Sequence, residues 1–197
     1  MKYYFKQSLF ALIYLFFMTI IAFGIICIGV TWLEIALCVI NISFYLTILA
    51  MTLYKEGENS MRVLHANDIE RELIIKTGED RPIKKHEEYK PWKGYVIGLS
   101  ACIPLILCLI VHSVVVLLSG GTMLGGGAAA GLIYFAFYAP ISVFLGEATV
   151  WSYYILLYAV PLISVTGGLS YCMGAAKIRM QYEKIAEKQR QIYGNRN

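Results

Sequence analysis

The chain has 197 residues, of which 58% are hydrophobic, and 17 basic against 13 acidic side chains leave a formal charge of +4. Soluble domains are roughly half apolar, so this composition excludes an ordinary globular enzyme. All the Lys and Arg residues lie in three short segments, 1 to 6, 55 to 93 and 177 to 196, and the stretches between them hold one acid each, Glu34 and Glu147. A basic side chain at the centre of a spanning helix costs roughly 2.5–3.5 kcal/mol on insertion scales, so basic-free gaps of this length mark lipid.

MKYYFK opens the chain and an apolar run follows to Val30 with no polar cleavage region, which reads as a retained first span and not a removed leader. About 20 helical residues cross a hydrocarbon core of ~30 Å. Residues 7 to 54 therefore divide into two spans, 8 to 30 and 34 to 54, joined by a tight outer turn with Thr31, Trp32 and Glu34 as its polar punctuation.

Residues 55 to 93 balance nine bases against nine acids and are too few to bury a core of their own. Asn59 or Ser60 is placed to cap a helix that ends near Gly78, with Val63, Ala66, Ile69 and Leu73 on one stripe and Asp68 and Glu72 opposite. Pro82 and Pro91 break the remainder into loop. Tyr89, Trp92 and Tyr95 then alternate with Lys90 and Lys93 at the next entrance to the bilayer.

A third span runs from Gly94 to about Leu118 with Pro104 inside it. Beyond it, the Gly-rich tract Ser119 to Gly131 leads into an apolar stretch that holds Pro140, and a last apolar stretch runs from Val150 to Ala176. If the three basic segments share the cytosolic side, an even number of crossings separates Lys93 from Lys177. Three apolar stretches lie between them, so one fails to cross, and residues 125 to 146 are the weakest. The expected fold is an all-α multi-pass bundle of four full spans plus one re-entrant or interfacial segment, with five spans as the alternative.

Four regions follow: a two-helix membrane hairpin at 1–54, a cytosolic amphipathic helix and loop at 55–93, a membrane region at 94–176, and a basic tail helix at 177–197. In the tail, Ile178, Ile185 and Ile192 repeat at seven, one stripe of a helix lying on a surface. Both termini are expected in the cytoplasm, at a plasma membrane.

The residues that stand out chemically are few. Glu147 and His112 are ionisable groups in or beside apolar stretches, where such groups pair or serve function, and Asn41 is suited to bonding a neighbouring helix. Gly121, Gly125, Gly127 and Gly131 are spaced either for a re-entrant site or for close helix packing. Glu34 reads as an interfacial acid at the start of a helix. The five cysteines all lie in apolar stretches without a pairing pattern.

Zinc-protease, nucleophile-elbow, phosphate-loop and paired-cysteine motifs are absent from the sequence. No catalytic, cofactor or metal residue is therefore assigned. The reading is an integral membrane interaction or regulatory subunit, its partners the lipid bilayer and a membrane protein or a second copy of itself, with no nucleic acid. The alternative is a small transport component that binds a solute beside the Gly-interrupted segment.

Overall fold

The computed structural model describes residues 2–78, 82–119, 125–145, 149 and 151–194. Every regular element among them is helical: α1 (Lys2–Ile26), α2 (Thr31–Thr77), α3 (Lys93–Ala101), α4 (Ile103–Leu118), α5 (Gly125–Ile133), α6 (Phe135–Leu145), a short 3₁₀ helix (Ser152–Tyr158) and α7 (Ala159–Gly194). Three helical segments are long and apolar enough to cross a membrane, and two bent pairs, α3 with α4 and α5 with α6, bring the candidate spans to as many as five. The chain is thus an all-helical membrane bundle with three to five candidate spans.

The first span ends sooner than its hydropathy suggests. Gly29 has φ +78°, a conformation an L-residue avoids, and it turns the chain after Ile26. Its amide donates 2.8 Å to the Glu34 carboxylate, so the acid in the first turn of α2 closes the loop before it.

The largest departure from expectation is in α2. No cap forms at Asn59 or Ser60, and one helix of 47 residues continues to Thr77. Nothing in residues 54 to 60 stops a helix: the segment has no proline, and Gly57 serves a contact described below. The expected terminus is at Gly78, whose φ is +72° and whose amide returns to the Ile74 carbonyl at 2.9 Å. The face that turns inward also differs from the predicted stripe. Ser60, Met61 and Asn67 are buried, whereas Ala66 and Ile69 are exposed.

The chain forms two compact units, Met1–Leu49 with Val96–Thr166, and Ala50–Tyr95 with Gly167–Asn197. In the first, α4 packs along α5 and α1 along α6. Phe23 stacks on Phe135 at 3.9 Å, and Tyr45 meets Phe137 edge to face at 5.7 Å. Gly98 lets α3 lie against the backbone of Ser164, where an added methyl would come within 2.7 Å of its Cα.

Two breaks shape this unit. Pro104 sits in the first turn of α4 and the α3–α4 pair bends by 46° there, since proline withholds the amide that would continue the helix. The α5–α6 pair bends by 110° around Tyr134. The fully buried Tyr134 then donates its hydroxyl to the Ala101 carbonyl at 2.6 Å, serving an acceptor at the other break.

In the second unit, residues 82 to 92 form a loop held against α2 by polar contacts. Asn67 Nδ2 donates to the Glu88 carboxylate at 2.9 Å, Arg71 donates to the same oxygen, and the Tyr89 amide donates to the Ser60 carbonyl at 3.1 Å. Lys93, only 1% exposed, donates Nζ to the His86 carbonyl at 2.8 Å and to that of Glu88. Burial pushes its ammonium pKa down from the ordinary lysine range, with Lys90 adding to that push. Met61, Ala175 and Ile178 form a small apolar core with Leu64 and Tyr89 against it.

Replacing Tyr134 by Phe leaves the Ala101 carbonyl without its hydroxyl donor in a dry interior. The expected loss is about 1–2 kcal/mol of stability, read as a lower thermal midpoint of the detergent-solubilised protein.

Candidate polar site in the membrane region

His112 lies on the buried face of α4 with Leu105, Leu109 and Val116, and is fully enclosed. Its ring sits 5.7 Å from that of Tyr153, near perpendicular, and 5.5 Å from that of Tyr154. Ser113, the next residue, shares a 2.7 Å hydrogen bond with the Tyr154 hydroxyl. Tyr138 stacks on Tyr153 at 5.3 Å, and its hydroxyl lies 3.0 Å from Ser152 Oγ. A histidine, three tyrosines and two serines from α4, α6 and the 3₁₀ helix thus form one polar cluster inside the apolar bundle.

The glycines of α5 complete its wall. A methyl added at Gly127 would fall 2.7 Å from His112 Cε1 and 2.7 Å from Tyr153 Cδ2, and one at Gly131 would fall 2.8 Å from Tyr153 Cε1. Gly126 rests against the Cys108 carbonyl so closely that no side chain fits. The tract therefore packs a helix directly onto aromatic rings and backbone, the use of small residues expected where lipid offers no hydrophobic drive.

The other anticipated residues fall as follows. Gly125 begins α5. Gly121 and Glu147 lie outside the described residues. Asn41 is remote from the cluster in the chain and donates Nδ2 to the Met18 carbonyl at 2.9 Å, joining α2 to α1 while buried. Thr19 does the same for α1, donating to the Ile133 carbonyl at 3.2 Å. All five cysteines are free thiols. Among the described residues no group of three or more His, Cys, Asp or Glu side chains is arranged to hold a metal ion.

Sequence reasoning did not single out Tyr138, Tyr153 or Tyr154, nor Ser113 and Ser152. The available signal was the tyrosine content, 15 residues in 197, since a phenol in a lipid-embedded segment needs a hydrogen-bond partner when buried. It also missed Gly57, Gly94, Gly98 and Gly168, each of which abuts a neighbouring backbone or ring. Compared with protein families, with curated proteins and with solved structures, the chain matches none.

Tight packing at the cluster sets a contrast between two glycines. Gly127→Ala is expected to destabilise the solubilised protein by about 1–3 kcal/mol through overpacking. Gly24→Ala, in a helix position with nothing within 4 Å, is expected to be neutral or to gain about 0.5–1 kcal/mol from helix propensity. Paired thermal melts check the difference in sign.

Proposed function

We propose that the protein is a plasma-membrane regulatory or interaction subunit that offers a cytosolic groove between α2 and α7 to an acidic amphipathic helix of a membrane-protein partner. The observation that carries this reading is the groove itself. Within the second unit a cavity of about 550 Å³ is lined by His65, Ile69, Tyr182, Ile185 and Gln189, together with Arg179 and Glu183, which pair at 3.1 Å. Ile69 is 61% and Ile185 52% exposed. From Arg179 to Ile192 every residue of α7 is exposed, and a lone helix of that length is marginal in water without cover.

Charge selects the occupant. Residues 176 to 197 carry six bases and two acids, so a second copy of the same tail would bring like charges together. An acidic helix would not. The groove also lies beyond reach of lipid: Ile185 is eight residues past Lys177, about 12 Å along a helix.

The proposed topology is four crossings with both termini cytoplasmic. Its support is the length of the bent pair after the Gly tract, because α5 and α6 have nine and eleven residues. At 1.5 Å per residue each arm is about 13–17 Å long, roughly half the ~30 Å hydrocarbon core. With a turn of 110° between them, such arms suit entry and return on one side. The basic tail then stays inside with the other basic segments.

A topology reporter fused after Asn197 is expected to be active only in its cytoplasmic form, and a fusion active outside refutes the four-crossing arrangement. Photo-crosslinking groups at Ile69 and Ile185 in intact cells are expected to yield one discrete heterologous adduct, lost in Ile185→Glu when the probe is at Ile69. A probe at Glu187, outside the groove lining, should give none. Self-adducts, or equal labelling from all three positions, overturn the partner reading.

A further inference from the structure

Where α2 and α7 leave their apolar runs, they carry the same pattern one turn apart: Met51 and Lys55 on α2, Met173 and Lys177 on α7. Residues four apart share a helix face, so on each helix a thioether lies on the lipid side of an ammonium by about 6 Å. Two glycines bring these faces together. Gly57 rests on the Tyr171 carbonyl and Gly174 on the Tyr54 carbonyl, each so close that a methyl would collide with backbone. The helices are thereby held at one register, with Lys177 Nζ donating 2.7 Å to Glu58 and lying 5.5 Å from the Tyr54 ring centre.

The result is a groove of about 540 Å³, lined among others by Met51, Met173, Tyr54, Lys55, Glu58 and Lys177. Met51 and Met173 are exposed within it, offering flexible apolar walls that adapt to an irregular chain. We propose that this groove binds an anionic phospholipid, its acyl chain along Met51 and Met173 and its phosphodiester between Lys55 and Lys177.

Charge matches the ligand. Lys55 and Lys177 against Glu58 leave one net positive charge, the complement of one phosphodiester. Glu58 accepts one hydrogen bond from the Lys177 ammonium and the Tyr54 side chain a second, which leaves one N–H to donate. The Glu58 hydrogen bond also holds that ammonium above the usual lysine pKa, so Lys177 stays charged at physiological pH. Location matches as well, since both lysines are the first charges after long uncharged runs and so stand at headgroup level, where anionic lipid is met. The partner groove of the preceding subsection begins further along α7, and this inference does not depend on it.

The test is lipid retention and affinity by native mass spectrometry of the full chain, with phosphatidylglycerol, phosphatidylcholine and inorganic phosphate as probes. Phosphatidylglycerol is expected to be retained at one copy, in preference to phosphatidylcholine, and inorganic phosphate not at all. Lys55→Gln and Lys177→Gln should each weaken that binding about fivefold, the factor for one basic contact at the surface. Lys184→Gln together with Lys188→Gln, which removes more charge from the tail, should change it less than twofold. Because Lys177 also pairs with Glu58, Lys55→Gln is the variant that separates loss of binding from loss of folding. Equal retention of both lipids, phosphate competing as well as lipid, or equal loss in the tail variant overturns the proposal.

Discussion

A carbonyl without a donor inside lipid is the fault this fold is organised to avoid. Pro104 breaks the third apolar segment, and the bilayer has no water to bond the acceptors such a break exposes. Tyr134 brings a hydroxyl 2.6 Å from the Ala101 carbonyl, and it does so from the corner where α5 turns into α6. The break in one segment and the bend in the other are therefore joined by a single buried hydrogen bond. Three further polar side chains of the first unit act in the same way. Asn41, Thr19 and Tyr158 each donate to a main-chain carbonyl of another element, Met18, Ile133 and Phe137 respectively.

Close approach is what makes such bonds reachable. Lipid tails are as apolar as leucine, so apolar contact alone does not draw helices together in a membrane. Glycine does the work that hydrophobic burial does elsewhere. Gly98 on α3, Gly126, Gly127 and Gly131 on α5, and Gly57 and Gly174 in the second unit each place a backbone or a ring where a side chain would otherwise be. Tyrosine is the complement: its ring fills the space opposite a glycine, as Tyr153 does for Gly127 and Gly131, and its hydroxyl reaches a main-chain carbonyl, as those of Tyr134 and Tyr158 do.

The helical membrane class, the turn before Glu34 and the stop at Gly78 were legible in the sequence, because each rests on a local property: absence of charge, an acid at a helix start, or a left-handed φ; the third span was expected to run through Pro104, where the missing amide instead bends it by 46°. The helix boundary near Asn59 was misread for a physical reason. Hydropathy reports where lipid ends, and a helix ends only where its hydrogen bonding is interrupted, so α2 runs on into the polar segment without a cap. The inward face of that extension was misassigned as well. Its stripe was chosen by apolarity, whereas the helix faces a polar loop, where Asn67 and Arg71 meet Glu88, as well as α7 through Met61 and His65. Tyr138, Ser152, Tyr153 and Tyr154 around His112 escaped because they come from segments distant in sequence, a juxtaposition no local pattern encodes.

The continuity of α2 and α7 past the lipid boundary gives the second unit its character. Each helix emerges with a Met–Lys step and no break, so the side chains beyond keep the phase set by the side chains before. Gly57 opposes Tyr171, Met61 packs with Ile178 four residues further on α2 and seven on α7, and His65 stacks on Tyr182 at 4.1 Å four residues beyond that on each helix. The pairing thus advances along two helices running in the same direction. Past His65, Asn67 and Arg71 of α2 turn to the loop, and the apolar repeat of α7 continues at Ile185 and Ile192, which are exposed. A heptad seam that begins buried and ends exposed is a surface whose first half is already satisfied.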